Sequence, residues 1–369
     1  MRRTWTTQGT ATTGERTMAE WQFARPTRRA RQEADLFFDE LMGRSSSGRV
    51  QRRGRYGGRL PFETYDEAAP VALPAGFRMG AWLDVGGRSI AAHGADHVSR
   101  LRALGMTDAC IMINAVETTT FGFGTVAQAA IRGFNDLLRG TPIRLTLTSW
   151  LRPSRTFIDA LLADLPAFAR SIGARAIEFD VEEPWTRQEP SGFATHDEAA
   201  TYLFAGLQSA RSEGLEVAVT CQVDAINTSR MRNIVQLADV VVPQAYSASG
   251  TTVGSPYGPR GVQDRAMARL AAALPGVRKP VIMGLAAYNR TAWSGHTARD
   301  IMTIELGETV TLAGTNAIPG ARYWSWKHIG GVNGTLDSPS NSYANAFLQD
   351  VATPAPAPAT VTATTAAHP

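Results

Sequence analysis

The chain has 369 residues, 44% of them hydrophobic, 19% charged, and a net charge of +4. That is enough apolar content for a large core and too much for a fibre or a wholly disordered chain. The basic excess is local: residues 1–60 hold 13 Arg against 6 Asp and Glu, so the rest of the chain is net negative and is not built as a phosphate-binding surface.

In chain order, residues 1–72 come first. "RPTRRARQ", a short amphipathic "EADLFFDELM" and "GRSSSGRVQRRGRYGGRLP" replace a core-forming pattern with Arg, Gly and Ser. This Arg-rich N-terminal extension is expected to be flexible and to meet an assembly partner or an anionic surface by charge. It has no apolar h-region of a secretion signal, and Met18 offers a second start beside Met1. If the protein leaves the cell, delivery by a phage or similar particle is the expectation that follows.

Residues 73–351 are regular. Apolar strand-like runs occupy 78–84, 109–114, 143–150, 176–182, 215–224, 239–246, 280–288 and 321–326. Helix-compatible stretches such as "ADHVSRLRALG" and "TFIDALLADLPAFARSIG" separate them, with apolar residues at i, i+3 and i+4 and a Gly past the end. Eight strands alternating with eight helices is the pattern of an α/β (β/α)8 TIM barrel. A doubly wound sheet would carry G-x-G-x-x-G after its first strand, where this chain has "DVGGRS". Residues 352–369, rich in Pro, Ala and Thr, are expected to be a disordered tail. No apolar run is long enough to span a bilayer. Cys110 and Cys221 lie in strand-like runs and read as buried free thiols.

A barrel places its chemistry at the C-terminal ends of its strands. Those ends supply Asp84, Asn114, Trp150, Asp180 with Glu182, Gln222 with Asp224, Gln244 with Tyr246, Tyr288, and Trp324 with Trp326. The fourth run, "AIEFDVEEPW", is the most unusual. Strand alternation puts Ile177, Phe179 and Val181 on one face and Glu178, Asp180 and Glu182 on the other. Three carboxylates in one confined place cannot all ionise freely, which favours a protonated acid beside an ionised neighbour. Glu178, the deepest, also suits an ion pair with an arginine lower in the barrel. Trp185 suits either a sugar-stacking rim or a loop anchor. The aromatics at the mouth suit the apolar faces of sugar rings, with Trp324 and Trp326 sharing one strand parity.

Metal chemistry is weakly signalled. The six histidines show no H-x-x-x-H spacing. No cofactor and no metal are expected, although Glu178, Asp180 and Glu182 could attract a hard cation in a metal-dependent hydrolase.

"LDVGG" on the first strand together with "FDVEE" on the fourth resembles the family 25 lysozymes. The resemblance implies Glu182 as general acid, with Asp180 and Asp84 in the same subsite, and the bond between N-acetylmuramic acid and N-acetylglucosamine in peptidoglycan as target. The fourth strand is also similar to the D-x-x-D-x-D-x-E of family 18 chitinases, with Arg175 where the first Asp would stand and Glu178 at the second acidic place. "PQAYS" is similar to that family's sixth-strand Gln-x-Tyr, nominating Gln244 and Tyr246, and "YWSW" to its eighth-strand Trp. Both resemblances imply a retaining glycosidase on an N-acetylhexosamine polymer, peptidoglycan ahead of chitin. A non-catalytic glycan-binding or structural barrel of a larger assembly is the rival expectation.

Overall fold

A computed structural model describes residues 71–116, 118–247, 255–287, 298–330 and 342–352. The leader through residue 70, Tyr288 and the tail from residue 353 lie outside the described residues.

Eight parallel strands close into a barrel in sequence order: β1 (Arg78–Leu83), β2 (Asp108–Met112), β3 (Arg144–Trp150), β4 (Ala176–Asp180), β5 (Glu216–Gln222), β6 (Val240–Gln244), β7 (Ile282–Ala286) and β8 (Gly320–Trp324). β1 pairs with both β2 and β8, so the sheet has no open edge to protect. Between and after the strands run α1 (Gly86–Ala103), α2 (Gln128–Leu138), α3 (Arg155–Ile172), α4 (Glu183–Thr186), α5 (His196–Gly206), α6 (Gln208–Ser212), α7 (Arg232–Leu237), α8 (Pro259–Ala273), α9 (Ala298–Thr315), α10 (Trp326–Ile329) and α11 (Ser342–Ala352). The expected TIM barrel is therefore the fold. The strands end one or more residues earlier than most of the apolar runs do, and this matters for the site.

Alternation along the strands builds two cores. One face of each strand packs against the helices; on β4 this face is Ile177 and Phe179, with Val181 continuing it. The other face fills the barrel with Trp82, Cys110, Met112, Ala218, Val240, Val242 and Ile282, capped by the half-buried Trp150 and Trp324. The N-terminal end carries charges that neutralise one another: Arg78 binds Asp108 at 2.6 Å and Glu216 at 3.4 Å, and Arg144 lies 3.6 Å from Glu216. Charge at that end serves to close the barrel, and it leaves the C-terminal mouth for chemistry.

Gly284 shows how tightly the interior is filled. A Cβ there would stand 2.9 Å from the Pro243 carbonyl oxygen and 3.2 Å from the Trp82 ring. Gly284→Ala is expected to cost about 1–3 kcal/mol through overpacking, read as a lower Tm; an unchanged Tm would show that β6 and β7 part without cost. Both cysteines are free and buried, as their strand positions required. No helix among the described residues is long and apolar enough to cross a membrane.

Candidate active site

β4 ends at Asp180, the only one of its mouth-facing acids still held in the strand at the rim. Glu182 stands two residues beyond, where the backbone turns (φ −111°, ψ −138°) into the short helix α4. Asp180 is buried and Glu182 half-buried. Gln244, the last residue of β6, donates from Nε2 to Asp180 Oδ1 at 3.4 Å and also hydrogen-bonds Glu182. One amide with two N–H donors thus faces two carboxylates.

The electrostatics follow from this crowding. Burial pushes the Asp180 carboxyl well above the ordinary carboxylate range, and the Glu182 charge adds to the rise. Burial likewise raises Glu182, to about 7; the Gln244 hydrogen bond opposes the rise and Glu183 reinforces it. The pair therefore holds a proton near neutrality, which an exposed carboxyl would not. Its chemistry is that of a proton donor beside a second carboxyl at the mouth of a barrel.

Glu178 does not belong to this site. It is fully buried, forms an ion pair with Arg322 of β8, and accepts the Trp82 indole N–H at 2.5 Å. The Arg322 guanidinium also lies over the Trp82 ring, 5.5 Å from its centroid. The expectation that Glu178 binds substrate is thereby corrected: it neutralises a buried arginine one layer below the mouth. The three-carboxylate cluster offered to a hard cation is split by the same pairing. Among the described residues no group of three or more potential ligands is placed to hold a metal ion.

Four other strand-end residues are redirected. Asn114 is buried and bound to the backbone of Trp150, donating to its carbonyl at 3.2 Å and accepting its N–H at 2.9 Å; it splices β2 to β3 and does not face substrate. Trp326 shares strand parity with Trp324 only on paper, because β8 ends at Trp324. Its indole is fully buried and donates to His97 Nδ1 on α1 at 2.9 Å. Asp224 leaves β5 in a 3-10 turn, is exposed, and pairs with Arg265 on α8 at 3.4 Å. Asp84 lies at the end of β1, but its contacts go to Lys327, whose Nζ is 3.2 Å from Oδ2 and whose backbone N–H is 3.4 Å from Oδ1.

The other described strand-end residues stay at the mouth. Trp150 stands beside Asp180 in the β3–β4 register, and Gln222 beside Gln244 across β5 and β6. Tyr246 is half-buried two residues past Gln244. Trp324 meets Trp82 edge to face at 6.0 Å between centroids. Tyr288 lies outside the described residues. Trp185 is a loop anchor: it is buried, its Nε1 donates to the Arg230 carbonyl at 2.9 Å, and His196 Nε2 donates to the Trp185 carbonyl at 2.9 Å. The strand-end reading missed Arg322, although inward parity on β8 signals it, since a cation inside a barrel needs a carboxylate there.

A closed eightfold barrel with a pair of neighbouring acids, Asp180 and Glu182, at its C-terminal mouth is thus the class of molecule. No protein-family model matches the chain, and no curated protein matches it in sequence. Among solved structures it is similar to a GH113 β-1,4-mannanase, with a TM-score of 0.50 and 10% identity over 76% of this chain and 99% of that one. It is also similar to a Group IV chitinase of Ostrinia furnacalis in complex with allosamidin (TM-score 0.49, 10% identity, 73% and 97% covered) and to a chitinase of Rhizomucor miehei (TM-score 0.48, 13% identity, 74% and 99% covered). At 10% identity the likeness to the mannanase shows the fold alone.

Proposed function

We propose that this barrel is a retaining glycoside hydrolase acting on an N-acetylhexosamine polymer. The carrying observation is the Asp180–Glu182 pair joined by the Gln244 amide, with Glu182 held protonated to about pH 7. The fold it shares with a β-1,4-mannanase is consistent with a polysaccharide substrate. In this reading Glu182 gives its proton to the glycosidic oxygen as the bond from C1 to that oxygen breaks. The substrate's own acetamido oxygen bonds to C1 from the opposite face, with Asp180 orienting the acetamido group. Water, losing a proton to Glu182, then opens the resulting ring and restores the acid. Trp150, Tyr246 and Trp324 would floor and flank the sugar.

Peptidoglycan is the substrate we put first, on the likeness of "LDVGG" and "FDVEE" to the family 25 lysozymes, with Asp180 ending β4 and Glu182 two residues beyond it. Chitin is the second reading, favoured by Gln244 touching Asp180 and by Trp324 at the mouth. Digestion of purified peptidoglycan and of chitin oligomers, with mass spectrometry of the products, tests both. Cleavage of one polymer by the wild type and of neither by Glu182→Gln is the expected result. Equal cleavage by the variant would remove Glu182 from the role of acid, and cleavage of neither polymer by the wild type would favour a glycan-binding barrel.

A further inference from the structure

We propose that Asp84 and His97 are positioning residues that act through Lys327 and Trp326 to hold Trp324 as a fixed platform in the barrel mouth. The platform's use by a sugar rests on the glycosidase reading; its rigidity does not.

Trp324 ends β8, and the chain then passes through buried Ser325 into α10, a helix of only four residues. So short a helix has no stability of its own. It is held from three sides. On the β1 side, both carboxylate oxygens of Asp84 are directed at Lys327, one at its backbone N–H and one at its ammonium. On α1, His97 accepts the Trp326 indole N–H, and Arg100 donates to the Gly330 carbonyl at 2.9 Å. On α11, Asn345 donates to the Ile329 carbonyl at 2.9 Å. Gly330 closes the fit: a Cβ on it would overlap the Trp326 ring.

The chemistry of the histidine is fixed by its partners. An indole N–H can only donate, so His97 Nδ1 presents its lone pair and Nε2 carries the hydrogen toward Ser89 Oγ at 3.0 Å. Only a neutral imidazole does both. Burial, with His93 and Arg100 nearby and Asp96 opposing them, lowers its pKa to about 4, so it stays neutral across the working range of the acid pair. Asp84, an acid that the first-strand motif presents as catalytic, thus has its charge committed to a turn. The turn's one evident consequence at the mouth is where the Trp324 ring stands against Trp82.

The test uses the full chain and two readouts. Near-UV circular dichroism of the ligand-free protein reads the Trp82–Trp324 pair, with Trp324→Phe defining the band that belongs to it. Steady-state cleavage of N-acetylglucosamine oligomers, or of peptidoglycan if that is the polymer cut, reads KM and kcat separately. Asp84→Asn and Lys327→Met each remove the same ammonium contact and leave the backbone one. Each is expected to weaken the Trp324 band to the same degree and to raise KM about two- to fivefold, the most a half-exposed ion pair supports, with kcat nearly unchanged. The double variant is expected to be no worse than either single one. His97→Leu should weaken the band further, and His97→Asn, which keeps an acceptor for the Trp326 N–H, should restore part of it. If His97→Leu does not fold, the Asp84 and Lys327 variants still decide. A normal band in both, or a kcat loss in Asp84→Asn that Lys327→Met does not share, overturns the proposal and returns Asp84 to direct work on substrate. If no polymer is cleaved, the glycosidase reading fails while the spectroscopic arm still gives its answer.

Discussion

Glu178→Leu is expected to destabilise the barrel by about 3–5 kcal/mol, and Glu178→Leu combined with Arg322→Met to recover most of that loss. The asymmetry is the point. Glu178 and Arg322 have side chains 0% and 2% exposed, so removing one leaves an uncompensated charge inside the barrel. Removing both leaves a cavity that two apolar side chains can fill in a layer already made of Trp82, Cys110, Met112 and Val242. The Trp82 indole N–H loses its acceptor in either variant, which keeps the recovery below complete. Urea unfolding of the wild type and both variants at pH 7 measures this directly. A single-variant loss under about 1 kcal/mol would show that water reaches the pair. A double variant as unstable as the single would assign the loss to Trp82 and to packing instead. Activity supplies the second half of the test, because Glu178→Gln, if it folds, should alter kcat far less than Glu182→Gln does.

The pairing of Glu178 with Arg322 also shows which parts of this molecule the sequence made legible. Period-two alternation on β4 placed Ile177, Phe179 and Val181 against the helices and left the acids on the other face, but it did not tell Glu178, buried against Arg322, from the acids at the mouth. Strand count and helix spacing were enough for the barrel, because eight apolar runs with amphipathic connections have few other ways to close. What alternation could not show was where each strand stops. Parity holds only while the chain is extended, so it carried Trp326 and Asp224 into the mouth although β8 and β5 had already ended. Nor does parity show depth or partner. Asn114 and Asp84 do stand at strand ends, but a neighbour's backbone amide takes each of them before a substrate could. Those partners lie 36 and 243 residues away in sequence, beyond the reach of any local pattern.

Glu182→Gln is expected to lower kcat by about 10²–10⁴-fold while making the folded protein more stable above pH 7. The two effects have one cause. Burial raises the Glu182 pKa to about 7 in the folded chain, against an ordinary value of 4.5 in the unfolded one. Between those values the folded state binds the proton that the unfolded state has released, so stability contributed by this group is present in full below about pH 4.5. It is lost progressively as pH rises through 7. The amide that replaces the carboxyl cannot ionise and escapes that loss, which gives a gain on the order of 1–3 kcal/mol at pH 8 and little at pH 4. The wild-type rate should fall on the alkaline side with an apparent pKa near 7, because an acid that has lost its proton cannot protonate the leaving oxygen. Asp180→Asn should shift that alkaline limb downward, since the Asp180 carboxylate no longer helps to hold the shared proton. Thermal unfolding of wild type and Glu182→Gln at pH 4, 6 and 8, set beside the pH dependence of kcat, joins the two halves. A variant that is inactive yet no more stable at pH 8 would mean that water solvates Glu182 freely, and the acid role would then need another source for its proton at neutral pH.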